Sequence, residues 1–279
     1  MKNRICLSLA DINFNIYSNE KIIIPDAFRP FLNNKAGDGI NINVATGFLP
    51  EINALPDFKS ETREYFDSFS RVRTSYYDFK KKKYVEYAVF EKNGRDDYTL
   101  YYDLDGEITL KGVFDGINYP SVLLDKDIAL MHASFSIING QAVLFTGVSG
   151  AGKTTQSLLW QKYRNADMIN GDRTALKISD GQVTAYGIPF CGSSKTAKNA
   201  SAPLNAVVFP VKSQVNKAVF MDKADIVRSL IGNFTYLAES AEESRRMWSF
   251  SDDLYDKTKF IKLYCTPDEN AVKALENIL

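Results

Sequence analysis

Residues 147–154 read Gly147-Val148-Ser149-Gly150-Ala151-Gly152-Lys153-Thr154, and no other stretch of the chain restricts its fold or chemistry so tightly. A glycine loop of this spacing works only between a strand and the N-terminus of a helix. The flanks supply that context. Residues 142–146 form a short apolar run suited to a buried strand, and residues 154–163 carry helical spacing. Each fixed position has a physical reason. The glycines let successive backbone N–H groups converge on phosphate oxygens, Lys153 brings a cation to the terminal phosphates, and the Thr154 hydroxyl can ligate Mg²⁺. The expected ligand is a nucleoside triphosphate, ATP, held with Mg²⁺ by Gly147, Val148, Ser149, Gly150, Ala151, Gly152, Lys153, Thr154 and Thr155.

Around this loop the chain changes character. The first 125 or so residues are rich in tyrosine and phenylalanine and read mostly as antiparallel strands, with strands expected over 84–91, 98–104 and 107–114 and turns at Asn93-Gly94 and Asp105-Gly106. Residues 55–69 suggest a helix. A β-rich region over 1–126 and a nucleotide-binding domain over 127–279 follow from the change in pattern. In the second region, strands are expected near 206–209, 218–221 and 261–264, and a helix over 224–231. Thr266-Pro267-Asp268-Glu269 suggests a capped helix running to Leu279, with Thr266 as the cap.

Two hairpins add functional content. Asn139-Gly140 separates residues 134–138 from 141–146, and pairing Ile138 with Gln141 carries His132, the only histidine, opposite Gly147. After the loop helix, a strand over 166–170 ends in Gly171-Asp172, and Asp180-Gly181 turns residues 174–179 onto 182–187. That register sets Asp172 opposite Pro189, so the polar loop at 192–198 emerges beside this carboxylate. Both placements assume no bulge.

Met131-His132-Ala133-Ser134, followed by the phosphate loop through Thr155, resembles two segments of the phosphoenolpyruvate carboxykinases, and in size and spacing it is more similar to the HPr kinase-like branch of that superfamily. Gly171-Asp172-Arg173 resembles the Asp-Asp-Arg segment of those kinases. Ile188-Pro189-Phe190-Cys191-Gly192-Ser193 and Ala202-Pro203-Leu204 are similar to stretches of small relatives of the same branch. The likeness spans about residues 128–210, with a fainter echo at 266–269, and the first 125 residues rest on topology alone. It implies an α/β fold with a P-loop carboxykinase-like core (like the C-terminal domain of HPr kinase) of mixed β-sheet with helices, behind a β-rich N-terminal region. It also implies a site in which Asp172 holds Mg²⁺ with Thr154. Two departures stand out. Gly171 replaces the first of the family's paired carboxylates, the general base, and the Arg-Gly-Leu-Gly signature used to grip HPr is absent.

These readings lead to an ATP-dependent kinase acting on a serine-like hydroxyl of a small molecule or peptide, with His132, Lys153 and Asp172 as catalytic residues. His132 could contact the γ-phosphate, join the metal shell or serve as base, since an unperturbed imidazole is largely neutral at pH 7. Arg173, Ser193, Lys195 and Lys198 are candidates for the acceptor or the transferred phosphate, with Arg245 and Arg246 as unplaced alternatives. The competing reading is a nucleotide-binding regulatory or scaffold protein that has lost the family's base. A carboxykinase reaction is a distant third, because the chain offers only the phosphate half of that motif set.

Composition narrows the partners. Lysine plus arginine equals aspartate plus glutamate at 34 each, so no global charge argues for nucleic acid or an anionic membrane. The lysines at 80–83, with Arg71 and Arg73 upstream, form a local basic patch, either a solvated face or a docking site for an acidic partner. Three scattered cysteines fit neither a disulfide framework nor a zinc site, and no window approaches a membrane span. Residues 5–10 are too short an apolar stretch for a secretory signal. A cytoplasmic protein is expected, with homo-oligomerisation left open.

Overall fold

Strand pairing builds one sheet in the N-terminal part of the chain. In the computed structural model, which describes residues 3–35, 37–68, 70–103, 107–235 and 241–279, two units separate, Met1–Val122 and Leu123–Leu279. The first contains β1 (Asn3–Leu9), β2 (Ile12–Ser18), β3 (Leu32–Asn33), β4 (Gly39–Thr46), β5 (Phe58–Lys59), β6 (Arg63–Phe66), β7 (Arg71–Asp78), β8 (Lys83–Lys92) and β9 (Asp97–Tyr102). They pair in the order β3-β1-β2-β4-β9-β8-β7-β6-β5. The pairing is mixed where antiparallel strands were expected: β2 with β4 and β4 with β9 run parallel, which takes long connections rather than tight turns.

Two local expectations fail here. Residues 107–114 are not a strand; Thr109 accepts a hydrogen bond from Gly112 N at 3.0 Å and caps helix α1 (Leu110–Gly116). Leu110, Val113, Phe114 and Ile117 are fully buried, which is the i, i+3, i+4, i+7 period of a helix face. Nor do residues 55–68 form the helix expected over 55–69, Phe69 lying outside the described residues. β5 and β6 lie there, because pairing with β7 and burial of the adjacent Tyr65 and Phe66 override local helix preference. Asp105-Gly106 lies outside the described residues. Around the basic patch, Arg73 bridges Glu64 and Glu86 at 3.1 and 3.3 Å, and Lys81 lies 3.8 Å from Asp78.

Helix α2 (Tyr119–Leu124) leads into the second unit. There the chain runs β10 (Ile128–Met131), β11 (Ala133–Ile138), β12 (Gln141–Thr146), α3 (Lys153–Arg164), β13 (Asp167–Asn170), β14 (Thr174–Ser179), β15 (Gln182–Gly187), β16 (Ser201–Lys212), β17 (Lys217–Phe220), α4 (Lys223–Ile231), α5 (Ala241–Lys257), β18 (Lys259–Cys265) and α6 (Glu269–Glu276). The sheet order is β10-β14-β15-β16-β12-β11-β13, with β18 beside β16 and β17 beside β18. β12, β16 and β18 run parallel, so their C-terminal ends share one edge.

Both hairpins take the expected register, Ile138 opposite Gln141 and Ser179 opposite Gln182. Asn139 and Asp180, each followed by glycine, adopt the positive φ that a two-residue turn needs. The final helix starts later than expected and ends at Glu276. Its cap is Asp268, which accepts from Asn270 N at 2.8 Å, while Thr266 donates to the Asp268 carboxylate. Helix α5 adds an element beyond those expected, with Met247, Phe250 and Leu254 on its buried face. The chain is thus a mixed α/β protein with large mixed sheets. No helix among the described residues is long and apolar enough to cross a membrane.

Phe145 and Trp160 share a core with Ile261 and Leu275, joining β12 and α3 to β18 and α6. Phe145→Ala should cost about 3–5 kcal/mol of second-unit stability. Both tryptophans, Trp160 and Trp248, lie in that unit, so urea unfolding followed by tryptophan fluorescence isolates the change.

Candidate active site

β12 delivers the chain to Gly147, where the backbone turns through three left-handed glycines: Gly147 (φ 138°), Gly150 (φ 78°) and Gly152 (φ 103°). A side chain at these angles would be strained, so the loop needs glycine there. Ala151 N donates to Val148 O at 3.1 Å, and Gln156 N to Gly152 O at 2.9 Å begins the helical ladder. The N–H groups of the first turn of α3 therefore lack intrahelical acceptors and carry the positive end of the helix dipole, an anion site by construction. Lys153 is largely buried and its amine donates to the carbonyls of Gly147 at 2.8 Å and Val148 at 3.3 Å. Burial holds its pKa below the ordinary lysine value, with Asp172 pulling the other way.

β11 and β13 bring the other groups. His132 Nδ1 lies 3.4 Å from Asp172 Oδ1, and both side chains are partly exposed. Burial first and the Lys153 cation second lower the His132 pKa, outweighing Asp172. A neutral imidazole at pH 7 follows, able to accept a proton. The Thr154 hydroxyl donates to Gly171 O at 3.3 Å, so it sits beside the Gly171–Asp172 turn.

The expected ladder pairs His132–Gly147 and Asp172–Pro189 do not form as strand pairs, because pairing stops at Ala133–Thr146 and Thr174–Gly187. Two asparagines take over. Asn233, just beyond α4, accepts His132 N on its backbone carbonyl at 2.7 Å and Gly147 N on its side-chain oxygen at 3.1 Å. It also donates to Ser229 O at 2.6 Å, capping α4. Asn170, fully buried at the end of β13, donates to Ile188 O at 2.7 Å and Phe190 O at 3.3 Å, and accepts from Asp172 N at 2.8 Å and Arg173 N at 3.0 Å. A Gly-Asn pair after a helix signals a cap; nothing in the sequence links Asn233 to a loop so far upstream. Ser134 and Ser157, in hydroxyl contact at 2.6 Å, pin α3 to β11 beneath the loop.

The 192–198 loop does reach Asp172: a Cβ on Gly192 would lie 2.8 Å from the Asp172 carboxyl carbon. Ser193 and Lys195 are exposed on it, and Arg173 Nε is 3.6 Å from Asp172 Oδ2. Lys198 turns elsewhere, its amine paired with Asp167. Arg245 and Arg246 lie on α5, paired with Glu242, and Arg246 also meets Asp125. The structure also accounts for Gly171. A Cβ there would lie 2.3 Å from both Cβ and Oγ of Ser194, whose hydroxyl donates to Cys191 O at 2.6 Å. Ser194 fills the room a larger residue at 171 would need.

Among the described residues no group of three or more His, Cys, Asp or Glu side chains could hold a metal. The Thr154 hydroxyl and the Asp172 carboxylate nonetheless suit Mg²⁺, which takes one or two protein oxygens and fills its octahedron with water and phosphate.

No family model and no curated protein matches the chain. Among solved structures, the HPr(Ser) kinase/phosphatase from Coxiella burnetii is similar over 53% of this chain and 87% of its own, at 14% identity and a TM-score of 0.32. A likeness that distant says nothing about activity.

Gly171→Ala should destabilise the second unit by about 1–3 kcal/mol through overpacking against Ser194. Ser194→Gly should recover most of that loss in the double variant. A double-mutant cycle in urea showing additive effects would contradict the packing account.

Proposed function

We propose that the protein is an ATP-dependent kinase that transfers the γ-phosphate to a serine-like hydroxyl on a small molecule or peptide. The observation that carries this reading is the His132–Asp172 pair, 3.4 Å apart, held at the mouth of a phosphate loop whose lysine is buried. Phosphoryl transfer needs a cradle, neutralising charge and an oriented acceptor, and little covalent chemistry from the protein. Residues 147–155 form the cradle in this proposal, and Lys153 leaves the Gly147 and Val148 carbonyls to meet the β- and γ-phosphates. Mg²⁺, held by Thr154 and Asp172, would supply further charge neutralisation on the phosphate oxygens. Neutral His132 accepts the acceptor's proton as its oxygen bonds to phosphorus, and ADP leaves. Arg173, Ser193 and Lys195 form the acceptor side, favouring an anionic acceptor, while Lys198 would first have to release Asp167.

On this reading the second unit is a P-loop carboxykinase-like core, and the first recruits the acceptor or a protein partner. Gly171, backed by Ser194, favours the second reading, a nucleotide-binding regulator with little transfer, because no carboxylate stands at that position.

Incubation with γ-labelled ATP and Mg²⁺ against serine, threonine, polyols and serine-terminated peptides separates the two. The kinase labels an acceptor, Lys153→Ala abolishes labelling, and His132→Ala lowers kcat by about 10²–10⁴-fold, the usual worth of a positioned base. Nucleotide binding without label on any acceptor supports the regulator.

A further inference from the structure

The phosphate loop has two flanks. His132 and Asp172 stand on the β11 and β13 side; on the other, where β16 and β18 end, a cavity of about 410 Å³ opens beside Ala151, Gly152 and Thr155. Lys212 and Cys265, the last residues of those strands, are paired in register, and with Pro267 they form its far wall. The volume falls within the roughly 300–1,000 Å³ of small-molecule sites, and the position, at the C-terminal ends of parallel strands, is where such sheets bind ligands. Gln156, on the first turn of α3, also lines the cavity and is almost wholly buried. Its Nε2 donates to Cys265 Sγ at 3.2 Å, but its Oε1 finds no hydrogen-bond partner among the described residues. Buried amide oxygens normally have one.

We propose that this cavity receives the nucleoside of the nucleotide, and that Gln156 selects a base bearing an amine at C6, adenine over guanine. The inference rests on the nucleotide reading above and gives the nucleotide a direction across the sheet edge. Its terminal phosphate lies at His132 and Asp172, its α-phosphate at the start of α3, and its base between Cys265, Pro267 and the Gln156 amide. With Nε2 engaged by Cys265, Gln156 offers an acceptor; its Oε1 is shielded from solvent, and rotation of the amide about its terminal torsion would present it to the ring. The adenine 6-amino group donates to that oxygen; at the same ring position the guanine carbonyl opposes it, lone pair against lone pair.

The test is calorimetric titration of the full chain with MgATP, MgGTP and magnesium tripolyphosphate, which measures binding without turnover. ATP should bind about tenfold or more tightly than GTP or tripolyphosphate, the worth of roughly one well-made hydrogen bond. Gln156→Leu should bring ATP and GTP within about twofold of each other and leave tripolyphosphate unchanged. Should that variant misfold, Gln214→Trp on the exposed rim should weaken both nucleotides and spare tripolyphosphate. Equal binding of ATP and tripolyphosphate by the parent protein overturns the nucleoside site while leaving the phosphate loop intact. A preference for GTP overturns the base assignment. Failure of all three to bind removes the nucleotide reading, and this inference with it.

Discussion

The buried amide of Asn170 fixes the geometry on which the site depends. One side chain ties the turn carrying Asp172 to the strand end at Ile188 and Phe190, using both its donors and its acceptor. Each of those backbone groups would cost about 1–3 kcal/mol if buried without a partner, so the turn and the strand end move together or not at all. Asn233 does the equivalent work at the phosphate loop, where it holds the backbone of His132 and of Gly147 at once. Two asparagines thus replace the strand pairing that ends just short of the site.

That substitution shows how far the sequence could be read. Local devices were legible: the glycine loop, the Asn-Gly and Asp-Gly turns, and the register each turn imposes on its own flanking strands. Register carried one step past the ladder put His132 and Asp172 in the right neighbourhood, though through asparagine bridges rather than direct pairing. What stayed hidden was non-local. The parallel pairing of β4 with β2 and β9 joins segments that no turn links, and the Asn233 contact with Gly147 closes a long loop. Helix α1 differs from the expected strand for another reason: its apolar positions also fit a period of two, while the buried set follows 3.6.

Gly171 shows why a motif comparison alone would mislead. Reading it as a lost carboxylate treats the position as vacant space, whereas the structure shows the neighbouring loop packed into it. Ser194 and Gly171 form one packing unit, so the character of the turn is set by two residues distant in sequence. The same loop rests Gly192 against Asp172, which limits how that carboxylate can swing.

His132 is the only imidazole in the chain, and it sits half exposed between Lys153 and Asp172. Any imidazole resonance in a proton spectrum, and any histidine-directed reagent, therefore reports from the mouth of the phosphate loop without labelling or assignment. The molecule carries its own spectroscopic probe at the place where its chemistry is proposed to occur.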